Sequence, residues 1–135
     1  MRRMKKEQRI KKNEEFSAVF NRGSSMANRQ FVLYILPKEG QDSLRLGLSV
    51  SKRVGNAVCR NRIKRYVREV FTQIQGDLKQ HYDYVVIARN PVKDMTYHEI
   101  KSSLEHVLRK SKMIVRVQQN KENRQLGGRK ESETN

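Results

Sequence analysis

Arg60, Arg62, Arg65 and Arg68 recur within one short run, SKRVGNAVCRNRIKRYVRE, with Lys52, Arg53 and Lys64 beside them. Seven of the 17 residues from Lys52 to Arg68 are cationic, and the first acid is Glu69. Guanidinium groups form planar forks that match phosphate oxygens, and lysines add point charges. Asn61, inside the run, can read a base edge or position a phosphate. A face that serves solubility alone mixes acids among its bases, and this one does not. Binding to a polyanion is the chemistry these residues permit. Phe16, Phe20 and Tyr34 form a second set. Two readings fit them: core packing, or stacking on unpaired bases, worth roughly 1–3 kcal/mol per base.

Catalytic chemistry has no comparable basis. His81, His98 and His106 are scattered, and no two lie at the i,i+4 spacing of a helical ligand pair. Asp42, Asp77, Asp83 and Asp94 fall mainly in turns or at element ends, with no pairing for acid–base work. No nucleophile has an activating neighbour, and neither a phosphate-binding Walker loop nor a dinucleotide glycine pattern occurs. Cys59 is the sole cysteine, which excludes an intrachain disulfide and a cysteine-rich zinc site. It reads as a small core group in a reducing, cytosolic compartment.

The whole chain reinforces the polyanion reading. It has 135 residues and a formal charge of +16, from 30 Lys and Arg against 14 Asp and Glu. That charge is well above the ~2–8 of an ordinary soluble domain and repels itself unless a partner neutralises it. Nucleic acid is the first candidate, through counterion release. An anionic membrane surface is a rival, but no run reaches the ~18 apolar residues of a span. The N-terminus is basic without an apolar stretch, unlike a secretory signal. Glu7, Glu14 and Glu15 argue against a mitochondrial transit peptide.

The length allows one domain. Residues 1–12 read as a flexible basic arm, 13–117 as the folded domain and 118–135 as a disordered polar tail. Asn13 is placed to cap a helix carrying Phe16, Val19 and Phe20, which Gly23 ends. Residues 30–36 form an apolar strand. Residues 44–51 alternate Leu44, Leu46, Leu48 and Val50 against Arg45, Gly47, Ser49 and Ser51. The short polar link between these strands predicts an antiparallel pair. Gly47 leaves room on the polar face. Asn56 caps a helix running to about Gln75, with Cys59, Ile63, Tyr66, Val67, Val70 and Ile74 on its apolar side. Val58 misses that stripe and is expected in an irregular first turn, packed locally. Tyr82 to Ala88 is a further strand. Thr96 and Glu99 form a capping box for a helix to Lys110. Met113 to Val117 is a candidate edge strand. The pattern predicts a small sheet with helices on one face and an open face carrying Arg45, Ser49 and Tyr34.

The run Lys52-Arg53-Val54-Gly55-Asn56-Ala57-Val58, then Arg60-Asn61-Arg62-Ile63-Lys64-Arg65, then Arg68-Glu69 and Phe71, resembles the signature of the bacterial ribonuclease P protein component. Phe16, Val19, Phe20, Gly23, the strand Leu46–Ser51 and the segment Asp83–Arg89 resemble it in the same order, so the likeness spans roughly residues 5–112. The resemblance implies an α/β two-layer sandwich with a mostly antiparallel sheet. It also implies a left-handed strand–helix–strand crossover, as in the second domain of a small-subunit ribosomal protein. It implies a non-catalytic protein subunit that joins a catalytic RNA to remove the 5′ leader of precursor tRNA, with Mg²⁺ serving the RNA. Phe16, Phe20, Tyr34, Arg45 and Ser49 would line a leader cleft. Lys52, Arg53, Arg60, Asn61, Arg62, Lys64, Arg65 and Arg68 would bind RNA. The partners implied are the catalytic RNA and precursor tRNA, in the cytoplasm, without a membrane or an obligate protein partner. The rivals are a structural ribosomal RNA-binding protein, a major-groove DNA reader and a self-contained nuclease.

Overall fold

A computed structural model describes residues 4–115. Three helices, α1 (Asn13–Arg22), α2 (Ala57–Ile74) and α3 (Tyr97–Lys110), pack with four strands. The strands are β1 (Ser24–Ala27), β2 (Phe31–Pro37), β3 (Arg45–Val50) and β4 (Tyr82–Ala88), in the spatial order β1-β2-β4-β3. The β1–β2 and β2–β4 pairs are antiparallel and β3–β4 is parallel, so α2 connects two adjacent parallel strands.

This order corrects the expected pairing of β2 with β3. β4 lies between them. Its Asp83, Tyr84, Val85 and Val86 are all buried, as a central strand with both faces covered requires. β3 carries Gly47 and Ser49 on one face and stands at the edge, which a half-polar strand tolerates. β1 is largely exposed, and its Ser-Ser-Met-Ala sequence has too weak an alternation to announce a strand.

The main core lies between one sheet face and the two long helices. Phe31, Leu33, Tyr84 and Val86 from the sheet meet Ile63, Val67, Val70 and Phe71 of α2 and Ile100, Leu104, Val107 and Leu108 of α3. Cys59 sits at its margin as a free, half-buried thiol. Both long helices start where expected. Asn56 Oδ1 accepts from Cys59 N at 2.9 Å. Thr96 Oγ1 accepts from Glu99 N at 3.2 Å, while Glu99 accepts from Thr96 N at 2.9 Å.

The opposite face is not wholly open. α1 packs there, with Val19, Leu36, Val85 and Ile10 forming a second cluster. The expectation of helices on one face only therefore fails, because Val85 and Leu36 give that face its own apolar patch. α1 also starts without the expected cap: Asn13 is its first residue and Lys12 holds the cap position. Residues 4–12, expected as a loose arm, lie against the domain. Ile10 and Gln8 are buried, Ile10 N donates to Leu46 O at 2.9 Å, and Gln8 Nε2 donates to Leu44 O at 3.1 Å. The unpaired edge of β3 supplies Leu46, and the residue just before the strand supplies Leu44. Val58 belongs to regular helix in α2 and is 78% exposed, not packed locally. Of the expected strand from Met113, only one bridge forms, Leu78 with Ile114. Its last two residues and the tail 118–135 lie outside the described residues.

Candidate nucleic-acid interface

Strand register arranges the second sheet face in rows. Tyr34, Val85 and Gly47 stand side by side across three strands, as do Leu36, Asp83 and Arg45, and Val32, Ile87 and Ser49. Phe16 closes onto the middle row. A Cβ on Gly47 would lie 2.9 Å from two atoms of that ring and 3.2 Å from Ile10 Cβ. The room left by the missing side chain is therefore filled by Phe16. Phe20, one turn on, lies 6.3 Å from Phe16 and meets Tyr34 edge-on at 5.0 Å between ring centroids. Phe20 is 40% exposed, while Phe16 and Tyr34 are half-buried. The rings pack together, and the cluster keeps one open surface.

Arg45 lies on this face as expected, but its guanidinium is engaged. Nε and Nη2 donate to the two carboxylate oxygens of Asp83 at 2.9 and 2.8 Å, and Nη1 donates to Glu15 at 2.9 Å. Asp83 is 1% exposed, with Gln41 at 3.2 Å and Lys38 at 3.7 Å. Sequence reasoning placed Asp83 among turn and end residues and missed this network, whose members lie far apart in the chain. Burial pushes the Asp83 carboxyl up, but the hydrogen bonds from Arg45 and Gln41 and the charges of Arg45 and Lys38 outweigh it. The Arg45 hydrogen bond likewise lowers Glu15. Carboxylates lowered on folding stabilise above their unfolded values, about 4, and lose that contribution as pH falls through their folded values. Urea denaturation between about pH 7 and 3 should show stability flat to near pH 4 and declining below. The decline should be shallower in Arg45→Ala. An identical acid profile in that variant would contradict the assignment.

The cationic helix covers the other sheet face, and Ile10 links the two sides, belonging both to the second cluster and to the cleft that α2 lines. Lys52 and Arg53 are exposed on the turn before α2, anchored by buried Val54. Arg60 Nη1 donates to Gly55 O at 2.9 Å, and Arg62 Nη2 to Lys93 O at 2.6 Å, so these two brace local backbone with part of their forks. Asn61 and Arg65 are exposed, and the Arg65 guanidinium sits 5.3 Å from the Tyr66 ring centre. Lys64, Arg65 and Arg68 line a cleft of about 850 Å³ with Arg9, Lys11 and the apolar Ile10, Leu46 and Leu48. Burial, and then the charge of Arg9, lower the Arg68 pKa. Arg9 and Lys11 were not singled out in the sequence, because nothing local shows that their segment docks beside α2. The ion pairs among the described residues involve Lys38, Arg45 and Lys101, not any of the seven cations from Lys52 to Arg68. Glu69 is the one carboxylate among the residues lining that cleft and makes no ion pair with these cations, so a net positive surface remains that is suited to phosphates. Among the described residues, no three His, Cys, Asp or Glu side chains gather where they could hold a metal, and no helix is long and apolar enough to cross a membrane.

The family model for Ribonuclease P matches residues 4–112, which include every part of this surface. The chain belongs to the ribonuclease P protein family. It is 73% identical over 111 residues to the ribonuclease P protein component of Shouchella clausii, covering 82% of this chain and 91% of that one. The corresponding protein of Halalkalibacterium halodurans is 60% identical over 111 residues, covering 82% and 93%. The solved RNase P protein of Staphylococcus aureus is similar at 50% identity and a TM-score of 0.76, covering 79% of this chain and 97% of that one. That of Thermotoga maritima is similar at 30% identity and 0.70, covering 76% and 96%. As a ribonuclease P protein component, the chain is a subunit of the ribonucleoprotein endonuclease that matures the 5′ end of tRNA. The expected small α/β fold agrees with those structures. The ribosomal, DNA-reading and self-contained nuclease rivals give way to this assignment.

Proposed function

We propose that this subunit works through two adjoining surfaces, one for each part of the RNA it meets. The outer side of the Phe16–Phe20–Tyr34 cluster, seated on the Tyr34–Val85–Gly47 row, receives the single-stranded 5′ leader of precursor tRNA, with Ser49 on the neighbouring row. The open side of the aromatic cluster supplies π-faces that tolerate any base. Lys52, Arg53, Arg60, Asn61, Arg62, Lys64, Arg65 and Arg68 bind the catalytic RNA and the adjacent substrate backbone. The observation that carries this reading is the set of seven cations that make no carboxylate ion pair among the described residues, three of them lining a cleft that shares Ile10 with the partly exposed aromatic cluster. Arg45 acts from within the fold, holding the cleft wall. The catalytic RNA performs the hydrolysis with Mg²⁺, and the protein's residues bind and orient. The setting is the cytoplasm.

Reconstitution tests this. The purified chain alone should leave precursor tRNA uncut. Added to the catalytic RNA at moderate Mg²⁺, it should raise cleavage and tighten binding of leader-bearing substrate more than of mature tRNA. A holoenzyme no better than the RNA alone would reject the proposal.

A further inference from the structure

α1 has few means of holding itself in place. It is ten residues long, and no side chain caps its first turn. A helix this short is marginal in isolation and depends on tertiary contacts. Val19 supplies an apolar anchor, fully buried against the sheet. Phe16 and Ala18 pack against the same cluster, but these partly exposed apolar contacts are non-directional and tolerate a small roll of the helix. The second fixed point is Glu15, whose Oε2 accepts from Arg45 Nη1 at 2.9 Å. Arg45 is itself immobilised, because its other two nitrogens grip both oxygens of buried Asp83. A planar fork held at two points on a rigid strand presents its third donor in one direction. Glu15 directly precedes Phe16, and Phe20 follows one turn later, so the roll of the helix at Glu15 sets where both rings stand.

We propose that Glu15 is a positioning residue: through Arg45 it sets the roll of α1, so that Phe16 and Phe20 stand over the Tyr34–Gly47 row and favour leader-bearing substrate. This rests on the reading of that row as the leader cleft. Glu14 provides a matched control. It is exposed on the same helix, has the same charge, and makes no ion pair among the described residues.

The experiment uses the reconstituted holoenzyme and compares equilibrium affinity for precursor tRNA with that for mature tRNA. Their ratio, the leader advantage, cancels the general rise in RNA affinity that follows loss of any acid. Glu15→Ala should lower the ratio roughly three- to tenfold, the range of a partly buried ion pair. Glu14→Ala should leave it unchanged. Glu15→Gln, which still accepts a hydrogen bond from Arg45, should retain part of it, and it serves as the test variant if Glu15→Ala fails to fold. Adding Glu15→Ala to the pair Phe16→Ala and Phe20→Ala should lower the ratio no further than that pair alone. If Phe16→Ala lowers the ratio while both Glu15 variants match Glu14→Ala, or if Glu15→Ala lowers it further in the absence of both rings, positioning by Glu15 is wrong and the cleft reading stands. If Phe16→Ala leaves the ratio intact, the cleft reading fails and the role of Glu15 falls with it.

Discussion

Arg45→Ala should destabilise the domain by about 3–5 kcal/mol, the penalty for stranding one charge of a buried pair. Asp83 is 1% exposed and would keep only the Gln41 hydrogen bond at 3.2 Å and Lys38 at 3.7 Å. Lys38 is partly solvated and flexible, so its compensation places the loss toward the lower end of that range. Small domains hold only about 5–15 kcal/mol in total, so the effect is large and easily read by urea denaturation. Replacing both partners by apolar groups of similar volume, as in Arg45→Met with Asp83→Leu, should recover much of the loss. Glu15→Ala should cost far less, since Arg45 keeps both bonds to Asp83 and loses a partner at Nη1 alone. A loss below about 1 kcal/mol for Arg45→Ala, the value of an exposed pair, would show that Asp83 is not dependent on its partner.

The second large effect concerns RNA and leaves the fold intact. Converting Lys64, Arg65 and Arg68 together to Ala should lower the slope of log affinity against log salt by about 2–3, at roughly 0.7–0.9 per lost phosphate contact. Affinity at low salt should fall steeply, and at high salt the variant and the parent should converge. The stability of the protein should hold or rise. Arg68 is half-buried, and both burial and Arg9 act against its charge in the folded state. A neutral residue relieves that opposition. A salt slope equal to the parent's would remove these three residues from the phosphate-binding surface. A collapse of the fold would mean that they serve packing instead.

These two predictions concern features with different histories in the chain. The cationic face of α2 is legible without coordinates, because Ile63, Val67 and Val70 recur at helical spacing while Asn61, Lys64, Arg65 and Arg68 fall on other sides. Asn56 and Thr96 announce the starts of α2 and α3 through hydrogen bonds spanning three residues. The aromatic set Phe16, Phe20 and Tyr34 is legible as well, but its mutual packing, with Phe20 exposed, comes from the tertiary structure. The Arg45 network was not visible. Arg45 and Asp83 are 38 positions apart, and Arg45 and Glu15 are 30 apart. Nothing in the neighbours of Arg45 separates a charge meant for a phosphate from one held by a buried carboxylate.

By itself the sequence determined most local matters: the three helices and strands β2, β3 and β4, where α2 and α3 begin, and which face of α2 carries unbroken positive charge. Those follow from periodicity and from bonds between near neighbours. Tertiary structure decided what sits beside that face. Inserting β4 between β2 and β3 set the register that aligns Tyr34, Val85 and Gly47, and only that alignment lets Phe16 close where a side chain is missing. The edge position of β3 in turn gave residues 8–10 backbone partners, which brought Arg9 beside Arg68. The reason is that strand order and docking are settled by competition among distant segments for buried area and hydrogen bonds, which no local spacing records.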